Sequence, residues 1–181
     1  MTTEIAMYQD SLSLLQAHDV YKSELLSIGM CENNKKRNFD SVTVYILRDG
    51  KPHQAVKFSS LLLKDKNTLV VRYTEIGCNA CSDLTFKTME RSQELRNKYN
   101  IIVLVDFSNY DAYLKWKKIS EITYPIFWIQ KGKLPFETEH QDYSYLFTIN
   151  KASYTNDFFK PHSIFTEYVE NYINHLLFIT N

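Results

Sequence analysis

The chain has 181 residues, of which 44% are hydrophobic, and its 21 Lys and Arg balance 21 Asp and Glu. That is enough for one domain of ordinary size with an added element, and too apolar for general disorder. The zero formal charge lacks the basic footprint of a nucleic-acid binder, so no nucleic-acid partner is expected.

Residues 3 to 28 have helical spacing, with Ile5, Tyr8, Leu12, Leu15, Leu25 and Leu26 near three-to-four intervals and Gly29 as a stop. That apolar stripe must be buried, either on this domain or on a second copy of the chain, so a dimer through this helix is one expectation. Cys31 reads as half-buried filler, the usual place of a lone cysteine. Glu32 to Asp40 is polar and reads as a linker, which divides the chain into 1–38 and 39–181. The first ten residues have neither the basic region nor the apolar stretch of a signal peptide. Read literally this means the cytoplasm. A chain whose export signal had been removed would read the same and belong to the periplasm or a membrane surface. No apolar run approaches the roughly 20 residues that span a bilayer.

Residues 42 to 47 form a strand signal, and Asp49-Gly50 turns it into a second strand, 54 to 58. Ser59 to Leu63 reads as one helical turn. Leu69-Val70-Val71 is a buried strand that gives way to Gly77-Cys78-Asn79-Ala80-Cys81, and a helix is expected over 82 to 98 with Leu84, Met89 and Leu95 inward. Ile101 to Phe107 is a continuous apolar run, expected to be a strand buried on both faces. A helix follows over 109 to 121, capped by Ser108 or Asn109, and Trp116 is expected in the core. This β–α–β–α order predicts parallel strands with right-handed crossovers. Ile126 to Ile129 is another strand, 135 to 143 a polar loop, and 145 to 149 with 154 to 159 a hairpin. Ser163 is expected to cap the last helix, whose apolar residues run from Ile164 and Phe165 to Leu177.

A Cys-x-x-Cys at a strand–helix junction is the sequence form of a dithiol redox site. The helix start offers unpaired N–H groups and a positive dipole end, and both favour thiolate over thiol. An inert structural pair and half of a zinc site remain open beside it. Zinc needs two more ligands, for which the scattered His53, His140 and His162 are candidates. No cofactor or resident metal is expected.

The hairpin, the strand ending in CxxC, the later β–α–β units and the closing helix resemble the thioredoxin fold. Asp49-Gly50-Lys51, then Ser59-Ser60-Leu61-Leu62, and the added strand at Tyr124-Pro125-Ile126-Phe127 are similar to the extracytoplasmic TlpA/redoxin group. The resemblance covers 42 to 178. It implies a three-layer α/β/α sandwich with a mixed central sheet, an N-terminal β-hairpin and an added N-terminal helix. It also implies a thiol–disulfide oxidoreductase acting on a protein disulfide or dithiol, with Cys78 attacking and Cys81 resolving. A fold that kept its shape and lost turnover is the alternative.

The pattern departs from that group at several positions. Gly77 stands where an aromatic residue commonly precedes the first cysteine. Arg72 stands where a buried acid is often found, and Glu75, three residues before Cys78, could replace that proton acceptor or could be a solvated charge. Tyr143-Ser144 falls at the loop that usually holds a cis-proline facing the cysteines; making Pro125 that proline leaves too much chain before the last helix. Gly77, Tyr143 and Ser144 are thus the expected substrate-contacting residues. A Tyr143–Ser144 bond in cis would cost about 3–4 kcal/mol, so it is expected in trans, with a more open face opposite Cys78. Spacing excludes a copper chaperone's CxxxC, and the absence of Thr-x-x-Cys argues against a peroxiredoxin.

Overall fold

The β-branched and aliphatic run before the cysteines forms strand β4 (Thr68–Tyr73), and every one of its residues is buried. The computed structural model describes residues 2–49, 51–77, 79–137 and 143–179, with the backbone alone for 2–10 and 79. The chain opens with helix α1 (Thr2–Glu32). Strand β1 (Lys35–Lys36) follows, then the hairpin of β2 (Thr43–Arg48) and β3 (Lys51–Lys57), and a 3-10 turn at Phe58–Leu61. After β4 come helices α2 (Asn79–Glu90) and α3 (Gln93–Lys98), strand β5 (Asn100–Val105), helix α4 (Tyr110–Ser120) and strand β6 (Ile126–Trp128). Strands β7 (Tyr145–Ile149) and β8 (Tyr154–Phe159) and helix α5 (Glu167–Phe178) close the fold.

The described strands make one mixed sheet in the order β1-β8-β7-β4-β5-β6-β2-β3. β4 runs parallel to β5, with Tyr73 opposite Val105, and antiparallel to β7, with Arg72 opposite Tyr145. This is the thioredoxin-like α/β fold expected from the sequence, with its hairpin at one edge and the added helix near the other. Helices α2, α3, α4 and α5 cover one face, where Leu69, Val71 and Tyr73 meet Phe86, Met89, Leu95, Trp116, Val169 and Leu176. The other face is covered by the 3-10 turn and by coil, which bring Phe39, Phe58, Ile129 and Leu134 onto Val70, Ile102 and Phe147. No described helix is long and apolar enough to cross a membrane.

Several local expectations give way to tertiary packing. The single helix over 82–98 is two helices, because Ser92 breaks it and its Oγ accepts from Leu95 N as a new N-cap. Asn109, not Ser108, caps α4. Ser163 does not cap the last helix; α5 begins at Glu167, and Ile164 is 61% exposed. Phe165 instead joins a ring cluster with Tyr21 and His162, which holds residues 162–165 out of the helix. Helix α1 runs through Gly29, and of the stripe assigned to it Leu12, Leu15 and Leu26 are exposed while Leu25 is docked. Its docked residues are Tyr21, Leu25 and Ile28, and Tyr21 Oη donates to Lys160 O at 2.6 Å. Cys31 is exposed with a free thiol, since it lies off that docked stripe. Part of the linker, Lys35–Lys36, pairs with β8 as β1. The α1 side chains of Ile5 and Tyr8, and Gly50 of the hairpin turn, lie outside the described residues; Asp49 beside it has φ 49°, the left-handed conformation such a turn requires.

Candidate active site

The turn between β4 and α2, residues 74 to 77, leads directly into the first cysteine. No regular ladder serves it, so its backbone groups need other partners. The structure supplies partners for three of its N–H groups and for the carbonyl at the end of β4. Arg72 Nη1 donates to Tyr73 O at 2.7 Å. Thr74 N donates to Ser144 Oγ at 3.1 Å. Gly77 N donates to Thr74 O at 2.9 Å. Glu75 N donates to Asp106 Oδ1 at 2.8 Å. Side chains from β4, from the end of β5 and from the loop before β7 thus converge on one tight turn.

Arg72 is the centre of this arrangement. It is fully buried, with Nε donating to Glu137 Oε1 at 2.7 Å and Nη2 to Asp106 Oδ2 at 2.9 Å. Burial works against its charge, but the two carboxylates outweigh it and hold its pKa above the ordinary value. Glu137 also accepts from Gly132 N at 2.9 Å and from Tyr145 Oη at 3.4 Å. Burial and the neighbouring Glu137 push the Tyr145 hydroxyl well up, so it stays a donor. Two carboxylates therefore lie beside β4, reached from two other segments and both engaged by Arg72.

The expected site residues fall as follows. Cys78 lies outside the described residues, as do His140 and Asp142. Cys81 is in the first turns of α2, 4% exposed, and its carbonyl accepts from Thr85 Oγ1 at 2.8 Å. Cys81, Tyr143, Ser144, Lys160, Pro161, His162 and Ser163 line a cleft of about 260 Å³, which brings three expected residues together. Gly77 is packed so closely that a Cβ there would lie 2.6 Å from Thr74 Oγ1 and 2.8 Å from Ser144 Oγ. The residue before Cys78 is small because the Ser144 loop lies on top of it.

Glu75 is half-buried, and its Oε2 accepts from Ser108 N at 2.8 Å and from Ser108 Oγ at 2.7 Å. It joins the turn to the start of the β5–α4 loop. No cis peptide occurs among the described residues, so Tyr143–Ser144 is trans. The open face was expected opposite Cys78, which lies outside the described residues; toward the turn, the Ser144 loop is closely packed. Ser144 is 7% exposed and its hydroxyl abuts Thr74 and Gly77. A short polar side chain closes the gap by hydrogen bonding where a ring would close it by contact.

Sequence reasoning missed Asp106, Glu137 and Thr74. For Asp106 a signal existed: an acid ends the apolar run of β5, two positions past the residue that pairs with Arg72. Glu137 gave none, because it sits in a stretch that reads as a solvated loop.

On the helix face, Tyr73 packs on Trp116 with ring centroids 4.7 Å apart and stacks on Phe107 at 5.6 Å. These rings floor the turn from below.

No protein-family model matches the chain. No curated protein matches it. Solved structures do. A candidate thiol:disulfide interchange protein, DsbE, of Chlorobium tepidum superposes with a TM-score of 0.56 at 11% identity, covering 81% of this chain and 99% of that one. A candidate protein disulfide isomerase of Bacteroides thetaiotaomicron gives 0.54 at 16% identity, covering 81% and 90%. A secreted disulfide oxidoreductase of Mycobacterium tuberculosis gives 0.53 at 8% identity, covering 75% and 96%. At these identities the likeness is one of fold.

Proposed function

We propose that the protein, whose fold is that of the thioredoxin-like thiol:disulfide interchange proteins, is itself a thiol–disulfide oxidoreductase acting on protein disulfides through Cys78 and Cys81. The observation that carries this reading is Cys81, buried at the start of α2 and lining a cleft with Ser144, at the carboxyl end of the central strand. In the reductive direction the Cys78 thiolate attacks one sulfur of a substrate disulfide. The substrate S–S bond breaks, its other sulfur leaves as a thiolate and takes a proton, and a mixed disulfide forms. The Cys81 thiolate then attacks Cys78 Sγ and releases the second substrate sulfur, which is also protonated. Two electrons pass from the CxxC pair to the substrate, and an external dithiol returns them. In the sequence Cys78 directly precedes α2, and a helix start is an environment that favours a thiolate. Tyr143, Ser144 and Gly77 shape the substrate side, and Glu75 tethers the turn.

The test is insulin reduction driven by dithiothreitol, with wild type against Cys78→Ser. Loss of the accelerated rate in the variant is expected. Equal rates would remove the enzymatic reading.

One observation favours a second reading, a binding module without turnover: the Ser144 hydroxyl is already engaged by Thr74 N, so the loop is anchored to the turn. A Cys78 pKa near the free value of about 8.5, with no disulfide forming in mild oxidant, would favour the module.

A further inference from the structure

Helix α1 meets the domain along one side only. His18 and Tyr21 pack on Phe165, Leu25 and Ile28 join the two apolar clusters, and Lys160 Nζ donates to Glu24 Oε2 at 2.8 Å. Residues 11 to 17 are all exposed. On the side turned away from the domain lie Leu12, Leu15, Leu26 and Met30, between 58% and 85% exposed. Most of a helix's stability in a protein comes from burying an apolar face, and this second stripe is left uncovered. Positions 12, 15, 19, 22, 26 and 29 advance in alternating steps of three and four, the spacing of a coiled-coil seam. Leucines occupy 12, 15 and 26, and the centre of the seam holds Asp19 and Lys22, both exposed.

We infer that this stripe is the interface of a homodimer, in which α1 pairs antiparallel with α1 of a second copy. The charges at the centre select both the occupant and its direction. With a two-fold axis between Val20 and Tyr21, Leu15 faces Leu26 of the second copy, and Asp19 faces its Lys22. The same two contacts recur on the other side of the axis, as a two-fold interface requires. Gly29 falls opposite Leu12 and leaves room for it, with Met30 alongside. A parallel pair would instead set Asp19 against Asp19 and Lys22 against Lys22, and like charges so placed are destabilising. Polar residues at one layer of a seam thus fix register and direction. The antiparallel overlap also lays residues 11–17 of each helix on residues 24–30 of the other, the part that Leu25 and Ile28 anchor to its own domain. None of this depends on the redox reading.

The experiment is sedimentation equilibrium of the full chain at about 100 μM, where a Kd of about 10 μM or tighter gives mostly dimer. The wild type is expected to be a dimer. Leu15→Ser/Leu26→Ser should be a monomer that still melts cooperatively, since both side chains are exposed in the single chain. Charge reversals test the direction, and carry the experiment if the leucine variant does not fold. Asp19→Lys alone, or Lys22→Asp alone, places like charges face to face twice per dimer and should weaken association by roughly tenfold or more. The double reversal Asp19→Lys/Lys22→Asp restores both opposite pairs and should return the dissociation constant to within about twofold of wild type. A monomeric wild type would overturn the inference and leave the stripe to some other chain. A dimer that survives the leucine double variant would place the contact elsewhere and overturn it equally. Single reversals that dissociate no more readily than wild type would overturn the antiparallel pairing, and the assignment of the stripe with it.

Discussion

On one face of β4, Leu69, Val71 and Tyr73 meet the apolar stripes of α2, α3, α4 and α5; on the other, Val70 is followed by Arg72 and Thr74, under coil. A helix satisfies its own backbone, so the layer it forms asks only for apolar side chains. Coil does not, and a buried coil must find partners for its N–H and C=O groups. Glu137 shows the consequence: the carboxylate that neutralises Arg72 also accepts from Gly132 N of the covering segment. The helix-covered face therefore needs only apolar burial, whereas the coil-covered face adds to its own apolar cluster the polar groups that shape the turn before Cys78.

The sharpest way to break that division is to remove the cation alone. Arg72→Met leaves the buried carboxylates of Asp106 and Glu137 without their cation, and breaking a buried pair in this way costs about 3–5 kcal/mol. Urea unfolding should show a loss of that order. A loss under about 1 kcal/mol would mean that water or rearrangement already screens the pair, and that the coil face is not the dry polar core described here.

Leu176→Ala tests the other face. Leu176 is fully buried on the inner side of α5, in one apolar cluster with Tyr99, Leu69 and Val103, and truncating a leucine there costs about 2–5 kcal/mol. The insulin-reduction rate should not move, because no atom of α5 touches the turn through a described hydrogen bond. A shift in that rate would blur the two faces into one.

This division also governs what could be read from the chain. The strands β4 and β5, the parallel order and α5 were visible because an apolar period reports a face that needs only burial. Val169, Tyr172, Ile173 and Leu176 fit the period, and all are buried. The stripe on α1 misled for the opposite reason. Docking there is decided by Tyr21 and its ring partners Phe165, Tyr168 and His162, which come from the other end of the chain. The coil face was nearly illegible. Arg72 in an apolar strand and Asp106 at the end of another were each visible as exceptions, but nothing local pairs them, and Glu137 looked like surface. The CxxC itself was legible because its spacing carries the chemistry. The turn that leads into it was not, because three of its four hydrogen bonds come from three different segments.

Gly77→Ala probes the seam between the faces at an intermediate magnitude. The added methyl would meet Thr74 Oγ1 at 2.6 Å and Ser144 Oγ at 2.8 Å, both on buried residues. Overpacking of this kind costs about 1–3 kcal/mol, and the insulin-reduction rate should fall with it because the turn must shift. Among the described residues Thr74 Oγ1 has no hydrogen-bond partner, so Thr74→Ala makes room without breaking a described bond. The double variant Thr74→Ala/Gly77→Ala should regain part of the loss. Strictly additive losses would show that the clash is not the cause.

The smallest expected effect belongs to Glu75, and it separates two roles the sequence left open. A general base that relays the Cys81 proton contributes typically 10²–10⁴-fold, by the usual scale of positioned proton transfer. A tether contributes a hydrogen bond or two on a half-exposed group, of the order of 1 kcal/mol together. The carboxylate accepts from both Ser108 N and Ser108 Oγ, and its own N–H is held by Asp106, so both ends of the residue are committed to the β5–α4 loop. Glu75→Gln keeps one strong acceptor and cannot take a proton. The expectation is a stability loss of about 0.5–1 kcal/mol and an insulin-reduction rate within roughly twofold of wild type across pH 6 to 9. A drop of tenfold or more, steepest where the wild-type rate is highest, would instead make Glu75 the proton acceptor, with Ser108 as the group that orients it.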